Sequence, residues 1–362
     1  MLRHCNALTP YIKLSTPLFL IAALDITTVS TLPSNNMKVV VVTDAAPLHC
    51  WPNNLNVENP QRVIAIHRAL THDNHQLSSA PSLHPRTHDA IAVVHTPSYV
   101  QSLQQACAQV PEGEAHVLAD PEIPAEYTYI THHSYDAAVR AVSTCLHAAD
   151  AVAGSANPAP WFVAVRPPGH HAVADKASGF CLLSNVAIMV RFMQQRAHGG
   201  IQRVRFCSFF GHTGNTNIVV QVAIIDFDVH HGNGTQAAFY DDPDVLFIDI
   251  HQAGVWPGSG GADERGEGPG QGTTLNVLLP VHAGNEALHS AWEVQVEPLL
   301  TSFRPGAIVA SAGFDAHADD PLGELQYRDE AYQFLGRALV DAATRLCGMC
   351  ESVSTWPHPR CL

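Results

Sequence analysis

The stretch "VAIIDFDVHHGNGTQ", residues 222–236, decides the fold class of this chain. Its first four residues are apolar, and they lead directly into Asp226, Asp228, His230 and His231. Carboxylates and imidazoles are tolerated at the end of a buried strand only when they are hydrogen-bonded, paired or bound to a cation. The stretch therefore predicts a buried strand whose end carries a cation site.

Three other segments share this design, an apolar run that ends in polar residues. Near-continuous apolar strands are typical of a parallel sheet that helices cover on both faces, and ligands of such sheets bind beyond the carboxyl ends of the strands. We therefore expect an α/β fold: a single domain with a mostly parallel central sheet, flanked by helices on both faces, and one shared site. The four runs are "WFVAV" (161–165, before Arg166 to His171), "VAIID" (222–226), "VLFIDI" (245–250, before His251) and "AIVASAGFD" (307–315).

The first half of the chain shows the same alternation of strands and helices. The apolar and helix-periodic patterns predict strands at "KVVVVTD" (38–44) and "DAIAVVHT" (89–96), and helices at "NPQRVIAIHRALTH", "SYVQSLQQACAQ" and "SYDAAVRAVSTCLHAADAVA".

Composition narrows the function. The formal charge of −14 leaves no broad basic surface, so direct binding of nucleic acid is not expected. No apolar run has the length of a membrane-spanning helix, so no membrane partner is expected either. The nine cysteines form no regular framework, which favours reduced thiols in an intracellular protein.

The first 36 residues contain a short apolar run and a single acid, Asp25. We interpret residues 1–36 as a leader, either a transit peptide or a disordered segment, with an untranslated leader before Met37 as the alternative. The expected compartment is the nucleus or cytoplasm, or a plastid or mitochondrion if the leader is a transit peptide.

Metal-ligand chemistry follows from the strand ends. Asp226, Asp228 and His230 have period two, so on an extended backbone their side chains point the same way. With Asp315 at the end of another strand, two carboxylates and one imidazole could converge on one divalent cation, with room for water and substrate. Mixed oxygen and nitrogen ligands fit zinc but leave Fe²⁺, Mn²⁺ and Co²⁺ open.

The loop "RPPGHH" (166–171) adds two adjacent imidazoles at the same edge of the sheet. His170 and His171 are candidates for a general base and a general acid. A carboxylate partner (Asp226) and an amide partner (Asn233) would separate them in acidity. The glycine-rich loop 257–272 has no dinucleotide-binding spacing, so a phosphate site is not expected there.

Three motifs resemble the histone deacetylase superfamily, in the order that the family has them: "RPPGHHAVADKASGFCLLSNVAI", "IIDFDVHHGNGTQAAFYDDPDVLFIDIHQ" and "SAGFDAHADDPLG". They are most similar to its class II and acetylpolyamine amidohydrolase-like branches. The resemblance implies the arginase/deacetylase fold and removal of an acyl group from a lysine-type amide, in a protein or peptide substrate, by water activated at a metal.

The resemblance also assigns roles to residues. It implies one Zn²⁺ per chain and an inner K⁺ site, an acyl-lysine tunnel, and a catalytic His pair with two orienting partners. The matching residues are Asp228, His230 and Asp315 for zinc; His170, His171, Asp226 and Asn233 for catalysis; Gly179, Phe180, Trp256 and Leu322 for the substrate; and Asp226, Asp228, His230 and Asp249 for potassium.

Two departures from the family shape the domain prediction. The likeness covers residues 37–346, but residues 205–221 form an atypical insertion, which we predict to be a surface excursion. The family continues into a strand ending in Gly-Gly-Tyr where this chain has the atypical tail 347–362, and no tyrosine follows Tyr332.

Two alternatives to the deacetylase stay open, and the first of them follows from the second departure. One is a catalytically weakened acyl-lysine binder, since loss of one oxyanion donor costs about 10²–10³ in rate. The other is an acetylpolyamine amidohydrolase, which Leu322 disfavours because that branch carries an acid at this place. A binuclear manganese ureohydrolase ranks lower, because "AHADDP" lacks its ligand spacing. The sequence does not indicate an oligomeric state.

Overall fold

A central sheet of eight strands organises the chain. The computed structural model describes residues 18–21, 40–54, 56–72, 76–79, 82–118, 128–154, 160–198 and 221–347. The sheet strands are β1 (Leu18–Ile21), β2 (Val40–Asp44), β3 (Gln76–Ser79), β6 (Trp161–Val165), β7 (Val222–Asp226), β8 (Val245–Gln252), β9 (Thr274–Leu279) and β10 (Ala307–Ala312); β4 (His116–Val117) and β5 (Tyr129–Ile130) form a separate two-stranded ribbon.

The strand order in the sheet is β3-β2-β6-β1-β10-β7-β8-β9. All the neighbours are parallel, apart from β1, which pairs antiparallel with both β6 and β10. The carboxyl ends of β6, β7, β8 and β10 therefore lie at one edge of the sheet. The predicted mostly parallel α/β sheet is confirmed.

Helices cover both faces of the sheet. The described helices are α1 (Gln61–His72), α2 (Thr87–Val94), α3 (Pro97–Gln109), α4 (Ser134–Gly154), α5 (Asn185–His198), α6 (Asn233–Phe239), α7 (Asn285–Ala291), α8 (Glu297–Phe303) and α9 (Asp329–Leu346), with a π-helical segment, Trp292–Val296, between α7 and α8.

Side chains of β7 alternate between two hydrophobic cores. Ala223 and Ile225 pack with α7, α8 and α9 on one face, whereas Val222 and Ile224 pack with α4 and α5 on the other. All five residues of β7 are buried. Helices on both faces explain why this strand is apolar throughout rather than alternating with polar residues.

Two sequence predictions need correction. The segment "DAIAVVHT" was predicted as a strand, but Thr87–Val94 form helix α2, with Thr87, Ala90 and Ile91 buried on one side. Asp89 lies in the first turn, where a carboxylate is favourable for the helix dipole. Strands β3 and β9 were not predicted.

The domain boundaries remain predictions. Residues 18–21, within the predicted leader, form β1. Except for Gln221, the predicted insertion 205–221 lies outside the described residues, as does the predicted tail beyond Cys347.

In the described part of the chain, no helix combines the length and the apolar character needed to cross a bilayer.

Candidate metal centre

The ends of β7 and β10 bring three side chains together. Nδ1 of His230 lies 3.0 Å from Oδ1 of Asp228 and 2.9 Å from Oδ2 of Asp315. The ligand atoms of all three residues lie within 4.8 Å of one another. The structure therefore brings together the three residues that the sequence predicted as metal ligands.

The local backbone differs from the prediction. Strand β7 ends at Asp226, so Asp228 and His230 do not continue an extended strand. Instead, the Asp228 amide donates to Oδ1 of Asp226 (3.1 Å), and the His230 amide donates to Oδ1 of Asp228 (2.8 Å). These two hydrogen bonds fold the loop and turn the side chains towards Asp315.

The three side chains fit a divalent cation. Ligands about 2.1 Å from a tetrahedral ion would be about 3.4 Å apart, close to the separations between His230 and the two carboxylates. Oδ2 of Asp228 is buried and has no hydrogen-bond partner, so it offers a further free lone pair. Two carboxylates balance the charge of a divalent ion, as expected for zinc.

The pKa values of Asp228 and His230 depend on the charges of their neighbours in this cluster. Burial opposes the imidazolium form of His230, but its hydrogen bonds to Asp228 and Asp315 outweigh burial and raise its pKa to about 10. Burial and the neighbouring Asp315 raise the pKa of Asp228 to about 6. The two carboxylates and the imidazole therefore stabilise positive charge at this position.

Gly313, just after β10, makes room for Asp228. A Cβ atom at Gly313 would lie 2.2 Å from Oδ2 and 2.5 Å from Cα of Asp228. This glycine was not predicted as a site residue, although it lies two residues before Asp315 in the motif "SAGFDAH".

The predicted His pair lies beside the metal cluster. The rings of His170 and His171 have centroids 3.7 Å apart. Nδ1 of His170 is 3.1 Å from Oδ2 of Asp226, and Nδ1 of His171 is 2.8 Å from Oδ1 of Asn233. Both predicted orienting partners are therefore in contact with the expected imidazole.

The two imidazoles differ in acidity. Burial disfavours the charge on His170, but Asp226 and Asp228 outweigh it and raise its pKa to about 9. Burial, followed by the positive charges of His170 and His230, lowers the pKa of His171 well below its usual value. Oδ1 of Asn233 can only accept, so Nδ1 of His171 carries the proton and Nε2 has a free lone pair.

Asp228 joins the two groups into one site. A second set, His170, His171 and Asp228, also places its ligand atoms within 4.8 Å of one another. Nε2 of His170 lies 3.9 Å from Oδ2 of Asp228. The His pair from the end of β6 and the ligands from β7 and β10 therefore face each other.

Arg166 anchors the loop that carries the His pair. It forms a buried, two-pronged ion pair with Glu58 and donates to the carbonyl oxygens of Ala45 (2.9 Å) and His49 (3.0 Å). The arginine was predicted only as part of the loop, and its partner Glu58 was missed. Nothing in the spacing indicated this pair, because the two residues lie 108 positions apart.

The predicted substrate residues are partly assembled around the site. Trp256 packs edge-on against His171, with ring centroids 4.6 Å apart, and lies 6.0 Å from the ring of His230. Gly179 has φ +52°, and a Cβ there would lie 2.2 Å from the ring of His171. Phe180 also has a positive φ, and its amide donates to Oγ1 of Thr128 (3.0 Å). The described ring contacts of Trp256 are with the imidazoles and not with Phe180.

Leu322 and Asp320 lie on the loop after Asp315. The Leu322 amide donates to Oδ1 of Asp320 (2.9 Å), while Oδ2 of Asp320 is buried without a hydrogen-bond partner. Burial, with added repulsion from Asp315 and Asp228, raises the pKa of Asp320 to about 7. Asp320, the second acid of "HADDP", was not predicted as a site residue.

Asp249, predicted as a potassium ligand, has two close partners within the chain. Its Oδ1 lies 2.7 Å from Nδ1 of His251, and its Oδ2 accepts the amide of Gly232 (2.8 Å). Asp226, Asp228 and His230, the other predicted potassium residues, lie next to it at the edge of the sheet. Burial opposes a charge on His251, but the neighbouring Asp249 carboxylate outweighs burial and raises the pKa of this histidine.

The glycine-rich loop 257–272 is tied to the sheet rather than open. Oε1 of Glu264 accepts the amides of Gly260 (3.1 Å) and Gly261 (2.8 Å). Nδ2 of Asn276, in β9, donates to the Gly261 carbonyl (3.3 Å). Oγ of Ser259 lies 2.8 Å from Nδ1 of His231. The amides of Gly260 and Gly261 are thus hydrogen-bonded within the loop.

The chain is similar to known proteins, both in sequence and in structure. A model of the histone deacetylase domain matches residues 56–220 and 212–354, so the two matched parts meet in the stretch predicted as an insertion. The chain is 35% identical over 302 residues to histone deacetylase 10, chloroplastic, from Oryza sativa subsp. japonica, covering 80% of this chain and 63% of that protein.

Two other relatives have lower coverage. Histone deacetylase 14, chloroplastic, from Arabidopsis thaliana is 36% identical, over 72% of this chain and 57% of that protein. The histone deacetylase-like amidohydrolase of Pseudomonas aeruginosa is 40% identical, over 59% of this chain and 51% of that protein. The chain thus spans between half and two thirds of the length of these relatives.

Solved structures share the fold. The crystal structure of the HDA15 HD domain has a TM-score of 0.69 at 27% identity, covering 85% of this chain and 80% of that one. An acetylpolyamine aminohydrolase from Burkholderia pseudomallei has a TM-score of 0.65 at 23% identity, over 85% of this chain and 99% of that one.

Proposed function

The chain belongs to the histone deacetylase family, and from this premise we propose that it is a zinc-dependent deacetylase that hydrolyses acyl-lysine amides in proteins. The observation that carries the proposal is the convergence of Asp228, His230 and Asp315 beside two imidazoles, one with a raised pKa and one with a lowered pKa. Perturbed titratable groups in such a pair are typical of acid–base sites.

Asp228, His230 and Asp315 would hold the metal. When bound, zinc supplies the positive charge that acidifies water and polarises the amide carbonyl. The ligands lie on loops after two adjacent parallel strands, and their carboxylates are buried, so their positions are fixed before substrate arrives. Other divalent ions fit the same donor set, and zinc is preferred for its tolerance of mixed nitrogen and oxygen ligands.

His171 is the proposed general base. Its lowered pKa keeps it neutral near pH 7, and its bond to Asn233 leaves Nε2 free to accept a proton from the attacking water. His170 is held protonated by Asp226 and stabilises the negative charge that develops on the substrate. Asp226 and Asn233 orient the two rings.

Gly179, Phe180, Trp256 and Leu322 are proposed to bind the substrate. Trp256 lies against His171, where an aromatic surface would contact the methylene groups of a lysine side chain and exclude water. Leu322 is uncharged, which favours a neutral acyl-lysine over a cationic acetylpolyamine.

Two further features of the proposal follow from similarity. An inner K⁺ site would use Asp226, Asp228, His230 and Asp249, with His251 competing for the Asp249 carboxylate. The two plant relatives are chloroplastic proteins. A plastid is therefore our proposed compartment, and an acetylated protein of that compartment the proposed substrate.

A fluorogenic acetyl-lysine peptide tests the function. We expect turnover that a zinc chelator abolishes and that His171→Ala lowers about 10²–10⁴-fold, the usual contribution of a general base. His67→Ala, an exposed histidine on α1, is the matched control and should retain the parent rate.

The same assay separates the alternatives. Saturable peptide binding without any turnover in the zinc-loaded chain would contradict the enzyme and favour the acyl-lysine binder. A higher kcat/KM for acetylputrescine than for the peptide would contradict the acyl-lysine assignment and favour the polyamine reading.

A further inference from the structure

Strand β1 is the exception in the sheet. Every other pair of neighbours in the sheet is parallel, but β1 runs antiparallel between β6 and β10. Phe19 pairs with Val163 on one side and with Ser311 on the other, and Leu20 pairs with Phe162 and Ala310. A segment from near the start of the chain thus lies in the middle of a sheet built from later segments.

The position that β1 fills divides the sheet in two. Without β1, one part would be β3-β2-β6 and the other β10-β7-β8-β9. Phe162 and Val163 in β6, and Val309 and Ala310 in β10, are almost wholly buried. Their backbone groups would then face a gap without hydrogen-bond partners, and unpaired buried backbone groups are costly.

The division also separates the two halves of the candidate site. The His pair follows β6, whereas Asp228 and His230 follow β7, and Asp315 follows β10. All three metal ligands therefore lie on one side of the gap and both catalytic imidazoles on the other. Contacts such as His170–Asp226, His171–Asn233 and His171–Trp256 join the two sides.

We propose that the gap between β6 and β10 is a strand-binding slot, that residues 18–21 of this chain fill it, and that its filling holds the His pair against the metal ligands. The matched family domain begins at residue 56, so β1 lies outside the part shared with the family. The slot itself rests on the pairing of the strands and stands apart from the proposed deacetylase activity.

The first test uses hydrogen exchange of the full chain. Leu20→Pro removes a backbone donor at a residue that pairs with both neighbouring strands. Ser15→Pro, before the strand, is the control. We expect amides of 161–165 and 307–312 to exchange at least about tenfold faster in Leu20→Pro only, with 245–252 and 274–279 unchanged. Equal exchange in the two variants would overturn the slot.

The second test measures zinc and turnover separately. Leu20→Pro should bind zinc as the parent does, because its ligands share one side of the slot. Turnover should fall about 10²-fold, the cost of misplacing a catalytic group by about 1 Å. Loss of zinc together with turnover, or retention of both, would overturn the claim on site geometry. If the parent itself has no turnover, the proposed deacetylase fails, and the exchange experiment still decides the slot.

A third experiment applies if Leu20→Pro unfolds throughout, and it supplies the strand as a separate peptide. Full-length Leu20→Pro is mixed with a synthetic peptide of residues 12–25 with the parent sequence at about 1 mM, the effective concentration that a short linker provides. Return of exchange protection in β6 and β10, absent with a scrambled peptide, supports the slot. No return with either peptide overturns it.

Discussion

His170 and His171 are neighbours in the chain, yet their surroundings shift their pKa values in opposite directions. The carboxylates of Asp226 and Asp228 raise the pKa of His170. His171 has an amide partner, and burial and two positive neighbours lower its pKa. Two identical side chains therefore receive different roles from their contacts. Such divergence is what an acid–base pair requires at a single pH.

Asp320 offers a test of electrostatics at the same scale. Its pKa in the fold is about 7, above its usual value of 3.8, so the folded chain binds more protons than the unfolded chain between these values. Stability should therefore fall as pH rises from about 4 to about 7. We expect Asp320→Asn to raise the Tm of chelator-treated protein at pH 8 and to leave it unchanged at pH 4, by thermal denaturation followed with circular dichroism.

Asp319→Asn is the control for this prediction. Asp319 is exposed and lies 3.6 Å from Arg328, so its replacement should not raise the Tm at either pH. An equal Tm for Asp320→Asn and the parent at pH 8 would show that the buried carboxyl carries no electrostatic cost.

The loop after β10 passes close to the loop after β7, where Gly313 lies against Asp228. Gly313→Ala would force the new methyl group against Asp228 without removing any metal ligand. We expect zinc affinity to fall about 10–100-fold, the range seen when support of a ligand is lost. Competition with a chromophoric chelator measures the affinity. Gly284→Ala is the control, because a Cβ there would lie 3.5 Å from its nearest neighbour; affinity loss in both variants would contradict the argument.

Elements differ in how far the sequence predicts them. Continuous apolar runs predicted β6, β7, β8 and β10 within a few residues, because helices cover both faces of these strands. The same rule predicted a strand where helix α2 forms, because a run of eight residues does not distinguish the helical period from the strand period. Packing of this segment against α4 and α5 favours the helix. Convergence of Asp228, His230 and Asp315 was predictable from the shared sheet edge, whereas the loop turn that delivers them depends on backbone hydrogen bonds.

At the scale of the whole molecule, metal binding and folding are linked. The ligands come from segments 85 residues apart, and the unfolded chain cannot hold them together. Zinc at about 100 times its Kd should add about 2.7 kcal/mol to the free energy of unfolding and, in a chain of this length, raise the Tm by about 4 °C. Differential scanning calorimetry with and without zinc measures the shift, and Asp315→Asn should abolish most of it.

The result for the variant decides the prediction. A zinc-dependent rise of the same size in Asp315→Asn would place the ion elsewhere.

Contacts over such long separations, including the Arg166–Glu58 pair and the insertion of β1 into the sheet, were not predictable from the sequence, because no local pattern encodes which distant segment fills a gap.

Three hydrogen bonds tie the glycine-rich loop to its surroundings and determine how selectivity would arise: Ser259 with His231, Gly261 with Asn276, and Glu264 with Gln236. A loop fastened at three points next to Trp256 behaves as a rigid template and not as a closing lid. Compounds that match the shape of the loop should associate in a single kinetic phase. Bulkier compounds should not bind at all, even slowly.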